Sequence, residues 1–202
     1  KEKALEFYKK TLKLEGWLEE KYVSCIRIFD MLPNKDEGIP YLIEASKYNK
    51  KRIECILRLV RHYSLKNMAS KSYEYYKLIQ NFFENDFYNN GITEHCLCIN
   101  IAEYKFFLPY SMIIISDRVK DYKTGIKMYE IIFKYSYVTV DKFYITNLIS
   151  NLKFFYKHVT DPQFFTNMRK YIDLLRSKKF TIDEALVKTY TLNINSLVVK
   201  EN

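Results

Sequence analysis

Glycine and proline are scarce in this sequence, with four residues of each among 202. An all-β domain of this length would need many more tight turns, which these two residues form most readily. Because 48% of the residues are hydrophobic, the chain can still bury a core. The composition therefore predicts an all-α protein, in which long helices are joined by short connections.

Targeting and disulfide signals are also missing. The sequence has no Asn-x-Ser/Thr sequon, no signal-like segment and no apolar run of 18 residues. A chain of this size does not need its four cysteines as disulfides. We therefore expect a reduced, cytoplasmic setting without membrane association. The chain begins at Lys1, within a segment that has helical spacing, so we expect it to be a piece of a longer protein.

Signatures of metal and nucleophilic chemistry are weak. His95, Cys96 and Cys98 form the one tight His/Cys group, but no second ligand pair lies near them in sequence, as zinc would require. His62 and His158 have no neighbouring Ser or Cys that would suggest a nucleophile. The sequence therefore predicts no catalytic residues, no metal and no cofactor in this chain.

Apolar residues recur at helical spacing along most of the chain. Ten helices are predicted, over residues 1–14, 17–32, 36–48, 51–64, 68–85, 95–116, 120–135, 141–158, 161–176 and 182–192. Asp141 and Asp161 stand where N-caps are expected, and Pro109 predicts a kink or break. The loop-like stretch 85–93 predicts a joint between residues 1–85 and residues 94–202, which would end in a cap.

An internal repeat favours a solenoid over a closed bundle. Three pairs of residues lie 34 positions apart: Ala4 and Gly38, Tyr8 and Leu42, and Thr11 and Ala45. Ala69 and Gly125 begin the same arrangement of one small and two large residues. Small residues are needed where paired helices approach closely, and 34 residues is the tetratricopeptide period. The predicted fold is a tetratricopeptide-like solenoid of antiparallel helix hairpins.

Two segments carry a resemblance to a known family. Residues 16–28 read GWLEEKYVSCIRI, and residues 43–63 read IEASKYNKKRIECILRLVRHY. Together they resemble the helical-repeat region found C-terminal to the catalytic domain of certain family 2-type glycosyltransferases, in bacteria and giant viruses. The matching positions are Gly16, Trp17, Glu19, Glu20, Tyr22, Arg27, Glu44, Ala45, Arg52, Glu54, Leu59 and Tyr63, followed later by Asn151, Leu152, Phe154 and Tyr156.

The resemblance implies an accessory module of a glycosyltransferase-type protein, and it does not imply transferase activity in this chain itself. Such catalysis needs a metal-binding Asp-x-Asp motif to neutralise the diphosphate, and this chain contains none. The proline that is usual before Arg52 is replaced by Lys50 and Lys51. The implied role is an interaction or scaffold module, viral or bacterial, that binds a protein, a peptide or its own transferase domain.

Eight residues are candidates for the binding groove: Trp17, Glu19, Glu20, Arg27, Arg52, Glu54, Tyr63 and Tyr75. Trp17 either stacks on a ligand or, as we favour, packs within its hairpin. Arg52 is predicted to reach a carboxylate of the previous hairpin, Glu19 or Glu20, as a structural ion pair or, less favoured, as a ligand clamp. Residues two apart do not face each other on a helix, so Arg52 is not expected to pair with Glu54.

The net charge of +9 supports an alternative function. The basic residues are spread along the chain, and such charges usually solvate helix faces, so an interaction module remains favoured. Two aromatic clusters, at 73–76 and 154–156, offer rings on which single-stranded bases could stack. The alternative is therefore a basic, nucleic-acid-binding helical repeat, whose affinity would fall steeply with salt. The oligomeric state stays open.

Overall fold

The computed structural model describes residues 2–92, 96–136, 139–185, 187–188 and 190. All regular secondary structure in these residues is helical, and it includes ten α-helices. The chain divides into two compact units, Lys1–Tyr104 and Lys105–Asn202. The all-α prediction is therefore confirmed for the described part of the chain.

Unit 1 is a series of helices that pack mainly against their neighbours in sequence. Its helices are α1 (Glu2–Lys13), α2 (Leu18–Met31), α3 (Lys35–Tyr48), α4 (Glu54–Leu65), α5 (Ala69–Lys77) and the short α6 (Tyr88–Asn90), which follows a π-helical segment, Phe82–Phe87. The four connections before α5 are three to five residues long. The first four helices match their predicted bounds within three residues, because each has a clear apolar stripe and a polar connection.

The predicted loop at 85–93 is wrong over most of its length, since the chain stays helical as far as Asn90. Phe83 and Phe87 are buried, and their rings stack 5.0 Å apart. The wide π turn places both rings in the core, and their burial outweighs the low helix propensity of the asparagines around them.

Unit 2 contains α7 (Leu108–Val119), α8 (Tyr122–Tyr135), α9 (Lys142–Asn151) and α10 (Pro162–Ser177), and a π-helical segment, Glu103–Phe107, precedes α7. Pro109 lies in the first turn of α7, directly after the π-helical segment. The chain stays helical across this residue, so the predicted break is wrong, and the helix changes from π to α geometry beside it instead. The helical run begins at Ile101 rather than at residue 95. The side chains of Asp141 and Asp161 cap α9 and α10, as predicted.

The helix predicted over 141–158 ends early. The α-helix ends at Asn151, and the chain then forms two 3₁₀ turns, Leu152–Phe154 and Tyr156–His158. The buried Tyr129 hydroxyl donates to the Leu148 carbonyl at 2.9 Å, and the Leu152 amide bonds to the Ile149 carbonyl instead. A tertiary hydrogen bond thus takes the carbonyl that would continue the α-helix. Within the helix predicted over 182–192, the described residues 184–185, 187–188 and 190 are helical, whereas residues 191–202 of the predicted cap lie outside the described residues.

Two glycines occupy close helix contacts. A Cβ atom on Gly38 would lie 2.6 Å from Cδ2 of Phe29, and one on Gly125 would overlap the ring of Phe155. These positions confirm that small residues mark close approaches. Ala4 behaves differently, because it is exposed and none of the residues of α1 is buried. Its predicted inward position is wrong, since α1 packs chiefly against α2 alone.

Candidate functional site

Three of the predicted groove residues meet in a buried network in unit 1. Nη1 of Arg52 donates to Oε2 of Glu19 at 2.7 Å, and Nη2 donates to Oε1 of Glu54 at 2.7 Å. Arg52 is only 2% exposed. The predicted ion pair between Arg52 and Glu19 is confirmed, and its burial fits the structural interpretation rather than a clamp open to a ligand.

The pairing of Arg52 with Glu54 corrects the sequence analysis. The prediction assumed that both residues lie on one helix, where a spacing of two points them apart. In the structure, α4 begins only at Glu54, and Arg52 belongs to the non-helical turn 49–53. Its Nε can therefore approach Oε2 of Glu54, at 3.2 Å.

Neutral donors complete the hydrogen bonding of both carboxylates. Glu54 accepts from the hydroxyls of Tyr22, at 3.0 Å, and Tyr104, at 3.2 Å. Glu19 accepts from the Asn49 side-chain amide at 2.9 Å and from a backbone amide, that of Leu97, at 3.3 Å. A buried ion pair is tolerated only when the remaining polar atoms are satisfied in this way. The network thus joins α2, the turn 49–53, α4 and the segment after α6.

The protonation states agree with this hydrogen-bonding pattern. Burial raises the pKa of the Tyr22 and Tyr104 hydroxyls above their ordinary value, so both remain neutral donors. Burial alone would lower the pKa of Arg52, but hydrogen bonds to Glu54 and Glu19 raise it above the usual range. Arg52 therefore stays charged between the two carboxylates.

A second ion cluster lies beside this network. Nε and Nη2 of Arg58 donate to the two carboxylate oxygens of Asp30, at 2.8 and 2.9 Å, and Nη1 reaches Oε2 of Glu103 at 3.3 Å. Burial raises the pKa of Glu103, and the Arg58 charge offsets only part of that shift. The Arg58–Asp30 contact is bidentate, which is the stronger geometry for this pair.

A small polar pocket of about 210 Å³ opens between the two clusters. Its polar lining includes Arg27, Arg52, Glu54, Arg58, Asn100 and Glu103. Arg27 is exposed, and it makes no hydrogen bond or ion pair with any described residue. Arg52 and Arg58 already share their charge with carboxylates. Arg27 is therefore the cation in this pocket that remains available to an outside group.

A larger pocket, of about 520 Å³, lies on another side of Arg52. We call it the cationic pocket, and its charged and apolar lining consists of Lys47, Lys50, Arg52, Ile56, Leu78 and Ile79, with Ser46 and Asn49 between them. Leu78 is 64% exposed, whereas Ile56 and Ile79 are buried. The lining thus has two parts. We call its apolar residues, Ile56, Leu78 and Ile79, the floor, and its positively charged residues, Lys47, Lys50 and Arg52, the rim.

Leu78 corrects another expectation. The apolar spacing of the helix predicted over 68–85 includes Leu78 with Tyr76 and Ile79, and it predicts that all three face inward. In the structure α5 ends at Lys77, and Leu78 lies after its last turn, with its side chain largely in solvent. Tyr76, Ile79 and Phe83 are buried at the helical spacing i, i+3, i+7, and Leu78, two positions after Tyr76, does not lie on that face.

The remaining predicted groove residues lie in two other places. Trp17 is 55% exposed at the N-cap of α2, so the favoured interpretation of a packed Trp17 is wrong, because its extended backbone lies outside the buried helix face. Glu20 is exposed on the same helix. Tyr63 is buried and stacks on the half-buried Tyr75, with ring centroids 5.3 Å apart. A binding role for these residues stays a prediction.

Of the residues that line the cationic pocket, Arg52 is a predicted groove residue, and sequence reasoning missed the others. In the sequence, Lys50 belongs to a short basic cluster with Lys51 and Arg52, and such clusters usually solvate a helix face. Tyr104, which supports the network behind the pocket, is far from Glu54 in sequence. Its position follows from tertiary packing, for which the local sequence holds no signal.

Comparison of this chain with protein families, with curated proteins and with solved structures found no match. Within the described ranges, every helix is too short or too polar to span a lipid bilayer. Those ranges also hold no group of three or more His, Cys, Asp and Glu side chains placed to bind a metal ion. All four cysteines are free thiols, and burial raises the pKa of Cys25 to about 12 and that of Cys55 to about 11.

Proposed function

We propose that this chain is a non-catalytic helical interaction module that binds a segment of a partner protein through unit 1. The cationic pocket is the observation that carries the proposal. Its volume of about 520 Å³ falls within the usual range for sites that bind small ligands or single peptide side chains. Its apolar floor can bury a side chain of a partner, while its polar rim can orient the peptide backbone.

The pocket is built on a rigid support. Its turn, residues 49–53, is fixed from behind by the bonds from Asn49 and Arg52 to Glu19. Preorganisation of this kind lowers the entropic cost of binding. Leu78 is 64% exposed, so covering it completely with an apolar side chain would contribute about 1–2 kcal/mol.

The wider proposal includes a tetratricopeptide-like solenoid and a place in a glycosyltransferase-type protein of a giant virus or bacterium, working in the cytoplasm. It is supported by the 34-residue spacing, by the close contact at Gly38 and by the Gly-Trp-x-Glu-Glu and Arg-x-Glu segments. The encoding sequence upstream of Lys1 tests this part. An α/β domain with an Asp-x-Asp motif would support it, and any other upstream sequence would remove it.

A selection from a peptide library tests the binding function itself. We expect the wild-type chain to select peptides, and the Leu78→Asp variant to lose them, because a carboxylate would then lie on the apolar floor. Leu65→Asp is the matched control, since Leu65 is 86% exposed in unit 1 and does not line the pocket. If the selected peptides bind Leu78→Asp as well as they bind the control, the pocket is not the site and the proposal fails.

The net charge of +9 favours one other candidate, nucleic-acid binding. This function predicts binding to single-stranded RNA at low salt, with a linear fall in log affinity as log salt rises. Fluorescence anisotropy with a labelled oligonucleotide measures it. The absence of binding at low salt would eliminate this candidate.

A further inference from the structure

We infer that the cationic pocket recognises an acidic peptide segment in which carboxylates flank one large apolar side chain. This inference rests on the proposed peptide-binding function and adds the chemistry of the partner. It follows from the distribution of charge on the rim, from the composition of the floor and from the hydrogen-bonding groups that remain available.

The three positive charges of the rim are neutralised by neighbouring carboxylates to different extents. Arg52 is already matched by Glu19 and Glu54, so it adds shape to the pocket but little net attraction. Among the described residues, Lys47 forms its ion pair with Glu44, at 2.8 Å, and their side chains are 65% and 42% exposed. Lys50 is exposed and makes no ion pair or hydrogen bond with a described residue. The rim therefore presents positive charge that a carboxylate from outside can neutralise.

Displacing Glu44 from Lys47 costs the protein little. Exposed ion pairs contribute only a small stabilisation, because water and salt screen them and two long side chains must be ordered. An incoming carboxylate can therefore exchange with Glu44 at Lys47 while a second carboxylate contacts Lys50. Two acidic residues on the peptide, close to its apolar anchor, can therefore neutralise these two lysines.

The floor selects an apolar anchor between the carboxylates. Ile56, Leu78 and Ile79 line it, and Leu78 carries most of the exposed apolar surface. A peptide with only acidic side chains would leave this surface in water. An aliphatic or aromatic side chain would cover it, and the removal of apolar surface from water would add to the affinity.

The available hydrogen-bonding groups fit a peptide backbone. The Ser46 hydroxyl donates to the Ile43 carbonyl at 2.7 Å, which leaves its oxygen free to accept from a peptide N–H. Both polar groups of the Asn49 side chain already form hydrogen bonds, since its amino group donates to Glu19 and its carbonyl oxygen accepts from the Lys51 amide. Asn49 therefore shapes the turn, and Ser46 contacts the ligand.

A nucleic acid fits this pocket less well than a peptide does. Proteins that bind single strands stack bases on aromatic rings. The described residues that line the cationic pocket are serine, lysine, asparagine, arginine, isoleucine and leucine, and none has a ring. Its lysines would attract phosphates, but its floor offers aliphatic rather than aromatic contacts.

Three fluorescein-labelled peptides test the inference on the full chain by fluorescence anisotropy. The first has one leucine flanked on each side by two glutamates, the second has glutamines in place of the glutamates, and the third has alanine in place of the leucine. We expect the first to bind, and the other two to bind at least about tenfold more weakly, since each lacks one of the two matched features. Added salt should weaken the binding of the first peptide.

Two double variants that reverse lysine charges test whether the peptide binds at the cationic pocket. The variant Lys47→Glu/Lys50→Glu should lose at least about tenfold in affinity for the acidic leucine peptide. The matched control is Lys9→Glu/Lys10→Glu, which makes the same change in net charge on exposed lysines of α1 and should change affinity by less than about threefold. An equal loss in both variants would overturn the inference, because attraction would then be general rather than local.

The outcomes separate the inference from the function on which it rests. If the glutamine peptide binds as tightly as the glutamate peptide, the acidic specificity is wrong while peptide binding stands. If the alanine peptide binds as tightly as the leucine peptide, the apolar anchor is wrong. If none of the three peptides binds but the library selection gives ligands, the inferred chemistry is wrong and the function remains. If the library also gives none, both are overturned.

Discussion

Replacing Arg52 by methionine gives the sharpest test of how unit 1 is held together. The change removes three charged hydrogen bonds and keeps a side chain that can fill the space. Breaking a buried ion pair by removing one partner typically costs about 3–5 kcal/mol, because a charge is left uncompensated. Glu19 and Glu54 would each keep two neutral donors. We therefore expect a loss near the lower end, about 3 kcal/mol.

Such a loss is a large share of the total stability of a domain, which is usually about 5–15 kcal/mol. Urea unfolding followed by tryptophan fluorescence measures it. Trp17 is the only tryptophan, and it lies in unit 1, so its signal reports on the unit that contains the network. The urea midpoint should fall while the slope of the free energy against urea stays unchanged, since the same surface is exposed on unfolding.

The matched control for Arg52→Met is Lys47→Met, which breaks an exposed ion pair in the same unit. It should cost less than about 1 kcal/mol, since solvent screens that pair. A double-mutant cycle between Arg52→Met and Glu54→Gln should show a coupling of about 1–3 kcal/mol. If Arg52→Met costs no more than the Lys47 control, the network is solvated and its proposed role in fixing the turn 49–53 is refuted.

Two other predictions concern packing and pH. Gly125→Ala should destabilise the protein by about 1–3 kcal/mol in thermal unfolding, because its Cβ overlaps the ring of Phe155, whereas Gly16→Ala, which meets no atom within 4 Å, should have little effect. Burial raises the pKa of Glu103 above 4.5, so the folded state binds this proton more tightly, and the stability it contributes at low pH is lost as the pH rises through the folded pKa. The advantage of Glu103→Gln over wild type in melting temperature should therefore grow from about pH 4.5 upward. Asp36→Asn should show the opposite pH dependence, since a lysine hydrogen bond lowers the Asp36 pKa. The melting temperature of this variant should be below that of wild type, and the difference should shrink as the pH falls below about 4. A gap that is flat with pH for Glu103→Gln would contradict the burial of this carboxyl.

The helices could be predicted where the local pattern and the tertiary packing agree. In α2 and α3 the apolar spacing, the polar connection and the N-cap at Asn34 all indicate the same bounds. At 85–90 they disagree, because asparagines favour a loop while two buried phenylalanines hold the chain in a helix. At Asn151 the α-helix ends because of a hydrogen bond from Tyr129, a residue of another helix. A single sequence cannot reveal such a partner.

In the candidate site, too, some contacts could be predicted from the sequence and others could not. The ion pair between Arg52 and Glu19 could be predicted, since an arginine without a partner on its own helix needs one elsewhere. The contact with Glu54 could not, because it depends on the start of α4, and helix ends are the least reliable part of a sequence prediction. The exposure of Leu78 could have been predicted, since a residue two positions after the buried Tyr76 points away from the same helix face.

Arg52 lines both pockets of unit 1, and this position determines which residues can separate binding from folding. A substitution of Arg52 removes its bonds to Glu19 and Glu54 and leaves the bond from Asn49 to Glu19 to hold the turn 49–53, so we expect Lys50 to shift. A loss of binding in such a variant would reflect the displaced rim as much as a lost contact. Lys50 and Leu78 are exposed and have no part in the buried network, so changes there alter the rim or the floor alone. The pocket must therefore be tested through its exposed residues, and the network through stability.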